Sequence, residues 1–591
     1  MSLLSRIIGL LQVDSTVGDL AGNAQRIEHL AKQASKNGAQ LAVGTELSVC
    51  GYPPRDLLLQ PDFITTSFAT AKSLNVEIPV LVGTPIPAEQ ERNLPANGVV
   101  RAGTLNASPN GDKTNRVVAK KQLLPSYDVF DETRYFSPTN RSGICRSIGG
   151  IELGVTICED AWQAAGLTPS TYGQDPIASL AEWGRQGVAL DATVNLSASP
   201  YHADKVSSRI KVCRTAAQIL QHPFLLANQV GGNDDLLFDG CSLVAWPDGQ
   251  VVVAPAWQEG VLLVDLDQPS NCRWLAMDSS DALCVGTDEI KFLDSSLEGH
   301  EESSAILEDI TDAVITGLTD YCRKSGITRI VLGLSGGIDS AVAACVACAA
   351  VGPSNVLGIA MPSRFSSQHS LDDAQYTAEA LGMEFKIEAI DDMHSTLESK
   401  IGGVLTAGNP VALENIQSRL RGIIVMAHAN AENRMAIATG NKSELAQGYC
   451  TLYGDMAGGY TPLGDLYKMQ VYALAEIFNH RAVQDGSTPP VNNSTLTKPP
   501  SAELAPDQKD EDSLPPYEVL DEILRLHIEQ TKDADDIVDA GYSREMVVDV
   551  LTRLERNEHK RWQMSPAPRV TSKAFGQGWR RPLASKHDWR N

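Results

Sequence analysis

The segment at residues 328–351 constrains the fold of this chain more than any other. The apolar residues 328–334 lead directly into Ser335-Gly336-Gly337-Ile338-Asp339-Ser340, and the small and apolar residues 341–351 follow. This pattern predicts a strand, a glycine-rich turn and a helix in immediate succession. Backbone N–H groups at the start of such a helix lack partners within the helix and can therefore cradle an anion.

Two adjacent glycines in this turn let the backbone approach a phosphate closely. Asp339 adds an oxygen ligand of the kind that Mg²⁺ prefers. The sequence G-x-x-x-x-G-K-[ST] is absent here, so the turn differs from the usual γ-phosphate loop. A Gly-Gly pair alone would fit a plain turn between strand and helix, but the complete string is more specific and predicts a nucleotide site.

The length of 591 residues exceeds what one hydrophobic core holds, because single cores stop growing near ~250–300 residues. Both halves alternate β and α patterns, which predicts two α/β domains. In the front half we predict strands at 6–13, 41–45, 79–84, 151–157, 192–196 and 224–228, a helix at 19–37, and a hairpin of 242–246 with 251–254. In the back half we predict helices at 306–325, 341–351 and 371–381 and parallel strands at 328–334 and 356–361.

Between the halves, residues 278–304 are polar and acidic. We therefore predict a first domain at residues 1–277, a linker at 278–304 and a second domain at 305–591. Residues 492–516 are rich in Pro, Ser, Asn and Asp, which predicts either a mobile loop or a substrate lid.

Composition argues against several classes of partner. The formal net charge of −24 opposes attraction to nucleic acid. The 11 cysteines are odd in number and scattered among apolar neighbours, as in a reducing cytosol rather than a secreted disulfide scaffold. No stretch approaches ~18 uninterrupted apolar residues, and the start of the sequence lacks the pattern of a signal peptide. We expect a soluble, cytoplasmic protein without a membrane partner.

Three residues of the front half are candidates for nucleophilic chemistry. Glu46 and Cys158 each follow an apolar strand, where side chains project from the carboxyl edge of a sheet. A thiol becomes a strong nucleophile once a base takes its proton, and Glu46 is a candidate base. Lys121 is a candidate for stabilising the oxyanion that forms when sulfur attacks an amide. Taken singly, these residues would also fit an inert buried thiol, a surface acid and a solvated lysine.

The segments around these residues resemble those of the nitrilase superfamily, whose Glu-Lys-Cys triad hydrolyses carbon–nitrogen bonds. Residues 121–136, 195–202 and 238–240 are similar, more narrowly, to the glutaminase domain of glutamine-dependent NAD synthetases. The resemblance implies a nitrilase-type α-β-β-α sandwich with Glu46 as base, Lys121 as oxyanion stabiliser and Cys158 as nucleophile.

The same resemblance implies that glutamine is held by Tyr127, Ser199 and Lys205, with Glu132 as a supporting carboxylate. Two positions depart from the family pattern. Thr45 stands where a proline usually precedes the catalytic glutamate, and Asp204 stands where a glycine usually precedes the lysine. Neither change removes a reactive group.

The string at residues 335–340 resembles the loop of ATP-pyrophosphatases, which cleave ATP between its α- and β-phosphates and adenylate a substrate. Residues 414–419, 439–444, 452–455, 464–468, 498–504 and 557–561 are similar to those of NAD synthetases in particular. The resemblance implies a Rossmann-like domain with a parallel sheet. By position, the residues that it assigns to ATP are Gly333, Leu334, Ser335, Gly336, Gly337, Ile338, Asp339, Ser340, Thr439, Lys468 and Ser501.

The resemblance also assigns Asp339 and Glu444 to Mg²⁺. It assigns Asn415, Arg419, Glu444 and Lys560 to the second substrate, deamido-NAD (nicotinic acid adenine dinucleotide). Taken as a whole, it implies a homo-oligomeric ligase that takes ammonia from glutamine, along a path sheltered from solvent. Such an enzyme would use ATP to amidate deamido-NAD, giving NAD, AMP, pyrophosphate and glutamate.

Two other interpretations remain open at this point. One is a nitrilase-type amidase fused to a different ATP-pyrophosphatase amidotransferase, such as a GMP synthetase or a tRNA-modifying enzyme. The other is a catalytically silent sensor of glutamine or nucleotide. The pair Cys345 and Cys348 matches C-x-x-C, but it lies in a predicted helix without a second Cys/His pair, which favours packing over metal binding.

Overall fold

A computed structural model describes residues 6–90, 93–103, 116–141, 143–148, 150–169, 171–277, 283–286, 290–293, 303–406, 411–501, 503–505, 508–586 and 589. The chain divides into two compact units. The first is Met1–Asn233 with Leu237–Glu301, and the second is Asp234–Leu236 with Glu302–Asn591.

The first unit is built from two large sheets and four helices. Its strands are β1 (Ile7–Gln12), β2 (Leu41–Val43), β3 (Val80–Ile86), β4 (Ala96–Ala102), β5 (Val117–Lys120), β6 (Gly143–Ile148), β7 (Ile151–Ile157), β8 (Ala192–Ser197), β9 (Phe224–Asn228), β10 (Val230–Asn233), β11 (Leu236–Asp239), β12 (Leu243–Ala245), β13 (Val251–Val253), β14 (Gly260–Asp265), β15 (Arg273–Met277), β16 (Leu283–Gly286) and β17 (Lys291–Leu293). Its helices are α1 (Leu20–Lys36), α2 (Pro61–Ser73), α3 (Pro176–Arg185) and α4 (Lys205–Leu220).

The two sheets have the orders β16-β15-β14-β1-β2-β3-β4-β5 and β17-β13-β12-β9-β8-β7-β6, and β10 pairs with β11. Parallel pairing is confined to β1-β2-β3 and to β7-β8-β9. Side chains alternate between the faces of each strand. Ile8 and Leu10 therefore join the core shared with Val155 of the other sheet, whereas Leu11 joins the layer that contains Ile27 of α1.

The outer face of the second sheet packs against α3 and α4 through residues such as Leu180 and Cys213. The unit is thus an α-β-β-α sandwich, and the predicted architecture is confirmed. Helix α1 shows why the local prediction succeeded. Asp19 caps its first turn by accepting the N–H of Gly22, and its buried residues recur at helical spacing.

The second unit has a four-stranded sheet covered by helices. Its helices are α5 (Ser303–Ser325), α6 (Ile338–Val351), α7 (Gln368–Leu381), α8 (Asp391–Thr406), α9 (Val411–Glu432), α10 (Lys442–Gln447), α11 (Lys468–Gln484), α12 (Asn493–Thr497), α13 (Tyr517–Ile528), α14 (Ala534–Asp539), α15 (Arg544–Arg556) and α16 (Glu558–Arg561). Its strands are β18 (Ile330–Gly333), β19 (Val356–Ala360), β20 (Glu384–Ile387) and β21 (Met435–Ala436), in the order β20-β19-β18-β21 with all pairs parallel. The predicted Rossmann-like parallel sheet is confirmed.

The range predicted as a linker, residues 278–304, contains more structure than its composition indicated. Strand β16 pairs with β15 at the edge of the first sheet, and β17 pairs with β13 at the edge of the second. Each strand is short, with four and three residues, and lies at the edge of its sheet; Lys291 and Phe292 of β17 are exposed. Residues 278–282, 287–289 and 294–302 of the range lie outside the described residues, and the position of the domain boundary stays a prediction.

Two smaller expectations can be compared with the structure. Cys345 and Cys348 are buried free thiols inside α6, as expected for packing. The part of residues 492–516 that is described contains α12, so the range is more than a plain loop. In the described residues no helix combines the length and the apolar character that a membrane crossing requires.

Asp204, which departs from the family glycine, precedes α4 with φ 61° and ψ 17°. This left-handed conformation costs an L-residue roughly 1–2 kcal/mol, although aspartate tolerates it better than most. Its carboxylate accepts a hydrogen bond from Ser207.

We expect Asp204→Gly to leave the free energy of unfolding of the first unit within about 1 kcal/mol of wild type, and Asp204→Val to lower it by about 1–2 kcal/mol. Denaturant titration measures both, and a valine variant as stable as wild type would contradict the expectation.

Candidate active sites

The three predicted catalytic residues of the first unit each lie just beyond a strand. Glu46 follows β2, Lys121 directly follows β5, and Cys158 directly follows β7. The Lys121 ammonium lies 2.8 Å from Glu46 Oε1 and 2.8 Å from Glu132 Oε1, and all three side chains are buried. The sequence-predicted acid and amine therefore form one ion-paired cluster together with the supporting carboxylate.

The Cys158 thiol faces the charges of this cluster. Cys158 opens a single turn, Cys158–Ala161, with φ 44°, in the left-handed region. Burial raises the pKa of the Cys158 thiol well above its usual range, and the charge of Glu46 raises this pKa further, while the Lys121 ammonium opposes both. The thiol is therefore protonated at rest, and it needs a base to become a nucleophile.

Glu46 is held rigidly. Its Oε1 also accepts a hydrogen bond from Asn97 Nδ2 at 2.7 Å, and its Oε2 accepts the N–H of Ala198 at 3.2 Å. A Cβ at Gly83 would lie 2.2 Å from the nitrogen of Leu47, so glycine is required there for the turn that carries Glu46 to pack on β3. These contacts fix the carboxylate before substrate arrives.

Glu132 accepts hydrogen bonds from Lys121 and from the hydroxyl of Tyr52 at 3.0 Å. Burial raises the pKa of Glu132, the Lys121 ammonium lowers it, and the charge of Glu46 raises it again. For Lys121, burial alone would lower the pKa, but the charges of Glu132 and Glu46 outweigh it and raise the pKa well above the usual value. The lysine therefore stays charged in a buried site.

Two of the residues predicted to hold glutamine, Tyr127 and Lys205, interact with Glu159. Tyr127 donates its hydroxyl to the two Glu159 oxygens at 3.0 and 3.1 Å. The Lys205 ammonium lies 4.3 Å above the ring of Trp162, and its charge acts to lower the pKa of Glu159, which burial raises overall. Ser199 follows β8, the neighbour of β7, and its N–H donates to Asn228 Oδ1 at 2.9 Å.

Sequence reasoning missed several members of this site. Glu159 directly follows the nucleophile, so a carboxylate next to a candidate thiol was an available signal. Tyr172, whose hydroxyl donates to Glu159 at 3.0 Å, and Asn97 carry no such signal. Asn97 lies 51 residues from its partner Glu46 in sequence, and only the fold brings the two together.

A cavity of about 320 Å³ opens in the second unit at the carboxyl ends of β18 and β19. Ten of the eleven residues assigned to ATP line it: Gly333, Leu334, Ser335, Gly337, Ile338, Asp339, Ser340, Thr439, Lys468 and Ser501. Gly336 does not. With φ 79°, it packs on α7, where an added Cβ would lie 2.0 Å from the Ser370 carbonyl oxygen. Its glycine is required for this close approach.

Two carboxylates share one ammonium inside the cavity. Lys468 Nζ lies 2.5 Å from Asp339 Oδ2 and 3.0 Å from Glu444 Oε1. Asn441 also donates to Asp339 Oδ1 at 2.7 Å. Burial raises the pKa of Glu444, and the charge of Asp339 adds to this effect against that of Lys468. Asp339 and Glu444 together concentrate negative charge, which a bound cation would partly neutralise.

The other residues assigned to the dinucleotide converge on one short segment, residues 448–452. Asn415 Oδ1 accepts the hydroxyl of Thr451 at 2.9 Å, and Arg419 Nε donates to the Leu452 carbonyl at 3.2 Å. Lys560 Nζ donates to the carbonyls of Gly448 and Cys450, both at 2.7 Å. The segment follows α10, which carries Glu444. Asn415, Arg419 and Lys560 do not line the cavity itself.

The range predicted as a loop or lid supplies one wall of the cavity through Lys498, Ser501 and Glu503. Glu503 Oε1 accepts the hydroxyls of Ser370 at 2.7 Å and Ser367 at 3.0 Å, at the start of α7. These bonds hold the wall next to the glycine-rich turn. Glu503 lies in the range 498–504 singled out from the sequence, but no role had been assigned to it.

Two families of known proteins match the two units of the chain separately. The carbon–nitrogen hydrolase family matches residues 7–274, and the NAD synthase family matches residues 310–564. A glutamine-dependent NAD(+) synthetase from Synechocystis sp. is 39% identical over 587 residues, covering 98% of both chains. One from Thermotoga maritima is 37% identical over 598 residues, again covering 98% of both.

The chain belongs to the family of glutamine-dependent NAD(+) synthetases.

Solved structures of this family agree with the fold. That of the glutamine-dependent NAD(+) synthetase from Acinetobacter baumannii, in complex with ADP, is 31% identical, covers 98% of both chains and has a TM-score of 0.69. That from Cytophaga hutchinsonii has a TM-score of 0.72 at 20% identity and covers 98% of both chains, which speaks for the fold alone. Full-length agreement favours a synthetase over a fusion with a different ATP-pyrophosphatase.

For a member of the glutamine-dependent NAD(+) synthetase family with this geometry, we expect the Cys158 thiol to be protonated near neutral pH in the resting enzyme. The cause is burial next to Glu46, which raises the thiol pKa. The difference in ultraviolet thiolate absorbance between wild type and Cys158→Ala, followed as pH rises, measures it. A thiolate signal already present at neutral pH would contradict the expectation.

Proposed function

We propose that the chain is a glutamine-hydrolysing NAD synthetase, which amidates deamido-NAD to NAD with ATP and with ammonia taken from glutamine. The observation that carries the proposal is the presence of two complementary sites in one chain. One is a buried thiol beside Glu46 and Lys121. The other is a cavity behind a glycine-rich turn, with Asp339, Glu444 and Lys468 inside it. The full-length relatives support both assignments.

In the first site, Cys158 attacks the side-chain amide carbon of glutamine while Glu46 takes the thiol proton. The carbonyl oxygen becomes an oxyanion, which the Lys121 ammonium stabilises. Glu46 returns the proton to the leaving nitrogen, so ammonia departs and a glutamyl thioester remains. Water then attacks the thioester with Glu46 again as base, and glutamate leaves as the thiol is restored.

The glutamine itself is held by groups around Glu159. We assign its α-carboxylate to the Lys205 ammonium, since opposite charges attract strongly where water is excluded. Tyr127 and Ser199 supply hydroxyl groups at the same end of the site. Two tyrosine hydroxyls already fix Glu159, so its carboxylate is oriented before glutamine enters.

In the second site, the backbone of the glycine-rich turn and the start of α6 receive the phosphates of ATP. The nicotinate carboxylate of deamido-NAD attacks the α-phosphorus, and pyrophosphate leaves. Lys468 offsets the negative charge that spreads over the phosphate oxygens. Ammonia then attacks the activated carbonyl carbon, and AMP leaves as the amide of NAD forms.

Asp339 and Glu444 would hold Mg²⁺. They fit the ion because both are carboxylates and each already contacts one cation, Lys468. Mg²⁺ commonly takes one or two carboxylates from a protein and completes its shell with substrate phosphates and water. When bound, the ion would neutralise phosphate charge.

Asn415, Arg419 and Lys560 would hold deamido-NAD. They converge on residues 448–452, and that segment adjoins Glu444 and the cavity. The dinucleotide would thus lie across the outside of the segment, with its nicotinate end turned toward the ATP phosphates. We also propose a cytoplasmic location, which the scattered free thiols in the described part of the chain support.

The main test replaces Cys158 with alanine. We expect Cys158→Ala to lose NAD formation from glutamine by at least about 10³-fold, because no other group supplies the nucleophile. Activity with added ammonium is expected to stay within about twofold of wild type, because the second site doesn't use this thiol. Cys213→Ala, which removes a buried free thiol from α4, is the matched control and should keep both activities.

The test can contradict the proposal in two ways. Retention of glutamine-dependent activity by Cys158→Ala would show that this thiol is not the nucleophile. AMP formation driven by guanylate or tRNA precursors, and not by deamido-NAD, would show that the second site belongs to a different reaction.

We further propose that the chain forms a homo-oligomer through α9. Ile423, Met426 and Tyr453 line an apolar groove on the second unit, with 62, 38 and 71% of their surfaces exposed. Arg419, assigned to the dinucleotide, is exposed on the same helix one turn away. A second copy seated on the groove would cover both the apolar surface and the open side of the dinucleotide site.

Placing carboxylates in the apolar groove tests this assembly. We expect Ile423→Glu with Met426→Glu to shift the chain to a smaller species in sedimentation, because a carboxylate in an apolar contact loses its hydration. The same pair of changes should raise the KM for deamido-NAD. Val404→Glu, on an exposed apolar residue of α8, serves as control, and an unchanged species in the double variant would contradict the proposal.

A further inference from the structure

Asp160 lies two residues after the nucleophile, and the chemistry proposed above doesn't use it. Its side chain is 1% exposed. One oxygen, Oδ1, accepts the backbone N–H of Gln122 at 3.0 Å and that of Leu123 at 2.9 Å. The other oxygen, Oδ2, accepts the N–H of Ile157 at 3.0 Å. A single buried carboxylate thus receives three backbone donors from two separate parts of the chain.

These two parts carry the residues that must meet at the substrate. Gln122 and Leu123 directly follow Lys121, in a segment that has left β5 and makes no strand pairs. Ile157 is the last residue of β7 and directly precedes Cys158. Without a partner, each buried N–H would destabilise the fold. The carboxylate satisfies all three and links the two segments at the same time.

We infer that Asp160 is a positioning residue that fixes the Lys121 ammonium relative to the Cys158 thiol. The inference rests on the proposed function, in which sulfur attacks an amide and the ammonium meets the resulting oxyanion. That oxyanion forms only in the transition state, so a displaced ammonium would slow the chemical step more than it weakens glutamine binding.

Burial of a charged carboxylate at Asp160 is unfavourable, which argues that the positions of its two accepting oxygens matter. Burial raises the pKa of Asp160 to about 7, while the three N–H donors and the Lys121 ammonium act to lower it. A neutral amide would avoid the burial of charge. However, an amide offers one accepting oxygen and one donating nitrogen, and its nitrogen would face an N–H donor. A carboxylate can accept N–H hydrogen bonds from both segments at once, whereas an amide cannot.

The test is Asp160→Asn in the full-length chain. Asn has nearly the size and shape of Asp, and its amide oxygen can still accept N–H groups from one of the two segments, so the variant should fold. We expect kcat for glutamine-supported NAD formation to fall about 10²-fold, with the KM for glutamine within about threefold of wild type. Ammonium-supported NAD formation should be unchanged.

Asp265→Asn is the matched control. Asp265 is a buried carboxylate of the same unit, and it accepts the N–H groups of Asp267 and Gln268 at 3.0 and 3.1 Å. It pairs with Ile7 at the start of β1, at the edge of the sheet away from Glu46. We expect this variant to keep glutamine-supported kcat. A second readout is hydrogen exchange: peptides covering residues 121–124 and 156–158 should take up deuterium faster in Asp160→Asn only.

Several outcomes would overturn the inference. These are a glutamine-supported kcat within threefold of wild type, a raised KM at unchanged kcat, or the same loss in Asp265→Asn. Asp160→Glu keeps the charge but moves it by one methylene, and it should show the same split between kcat and KM. If both Asp160 variants lose ammonium-supported activity equally, the residue serves folding in general. Failure of the proposed function is separate, because Cys158→Ala would then keep glutamine-supported activity.

Discussion

The buried ammonium of Lys121 between two carboxylates is the interaction on which the first unit depends. Glu46, Lys121 and Glu132 are all nearly inaccessible to solvent, so removing one partner would leave an unpaired charge in a medium that solvates it poorly. Burial raises the pKa of the neighbouring Cys158 thiol, and the charge of Glu46 raises it further against the opposing Lys121 ammonium. The arrangement that holds Lys121 in place therefore also favours the protonated form of the thiol.

The second unit repeats this arrangement with different consequences. Lys468 lies between Asp339 and Glu444 as Lys121 lies between Glu46 and Glu132. Asp339 is the second residue of α6, six residues beyond the end of β18, whereas Cys158 directly follows β7. In the first unit Glu46 and Lys121 follow strands of one sheet and Cys158 follows a strand of the other, while in the second unit Asp339, Glu444 and Lys468 are carried by α6, α10 and α11. The two units therefore reach a similar electrostatic arrangement by different structural routes.

The sequence could predict what depends on local pattern. Strands such as Ile151–Ile157 and Phe224–Asn228 are apolar runs that alternate with helices, and the reactive residues stand at their ends. Edge strands such as Lys291–Leu293 were missed because a three-residue strand within a polar, acidic range is too short to show a periodic pattern. Asn97 and Asp160 were missed because their partners are 51 and 37–38 residues away, and no local rule links them. Gly336 was assigned to ATP from the sequence, yet the close approach of Ser370 accounts for its glycine.

The difference in exposure between the two lysine clusters fits their different tasks. In the first unit the side chains of Glu46 and Lys121 are 0 and 1% exposed, so their charges cannot be exchanged for a diffusing ion. Such a cluster is suited to moving a proton between fixed atoms. In the second unit the side chains of Asp339 and Glu444 are 18 and 16% exposed and face the cavity. A cation arriving with a nucleotide can reach them and share their charge with Lys468. The same three charges are thus suited to proton transfer where they are sealed and to ligand binding where they are open.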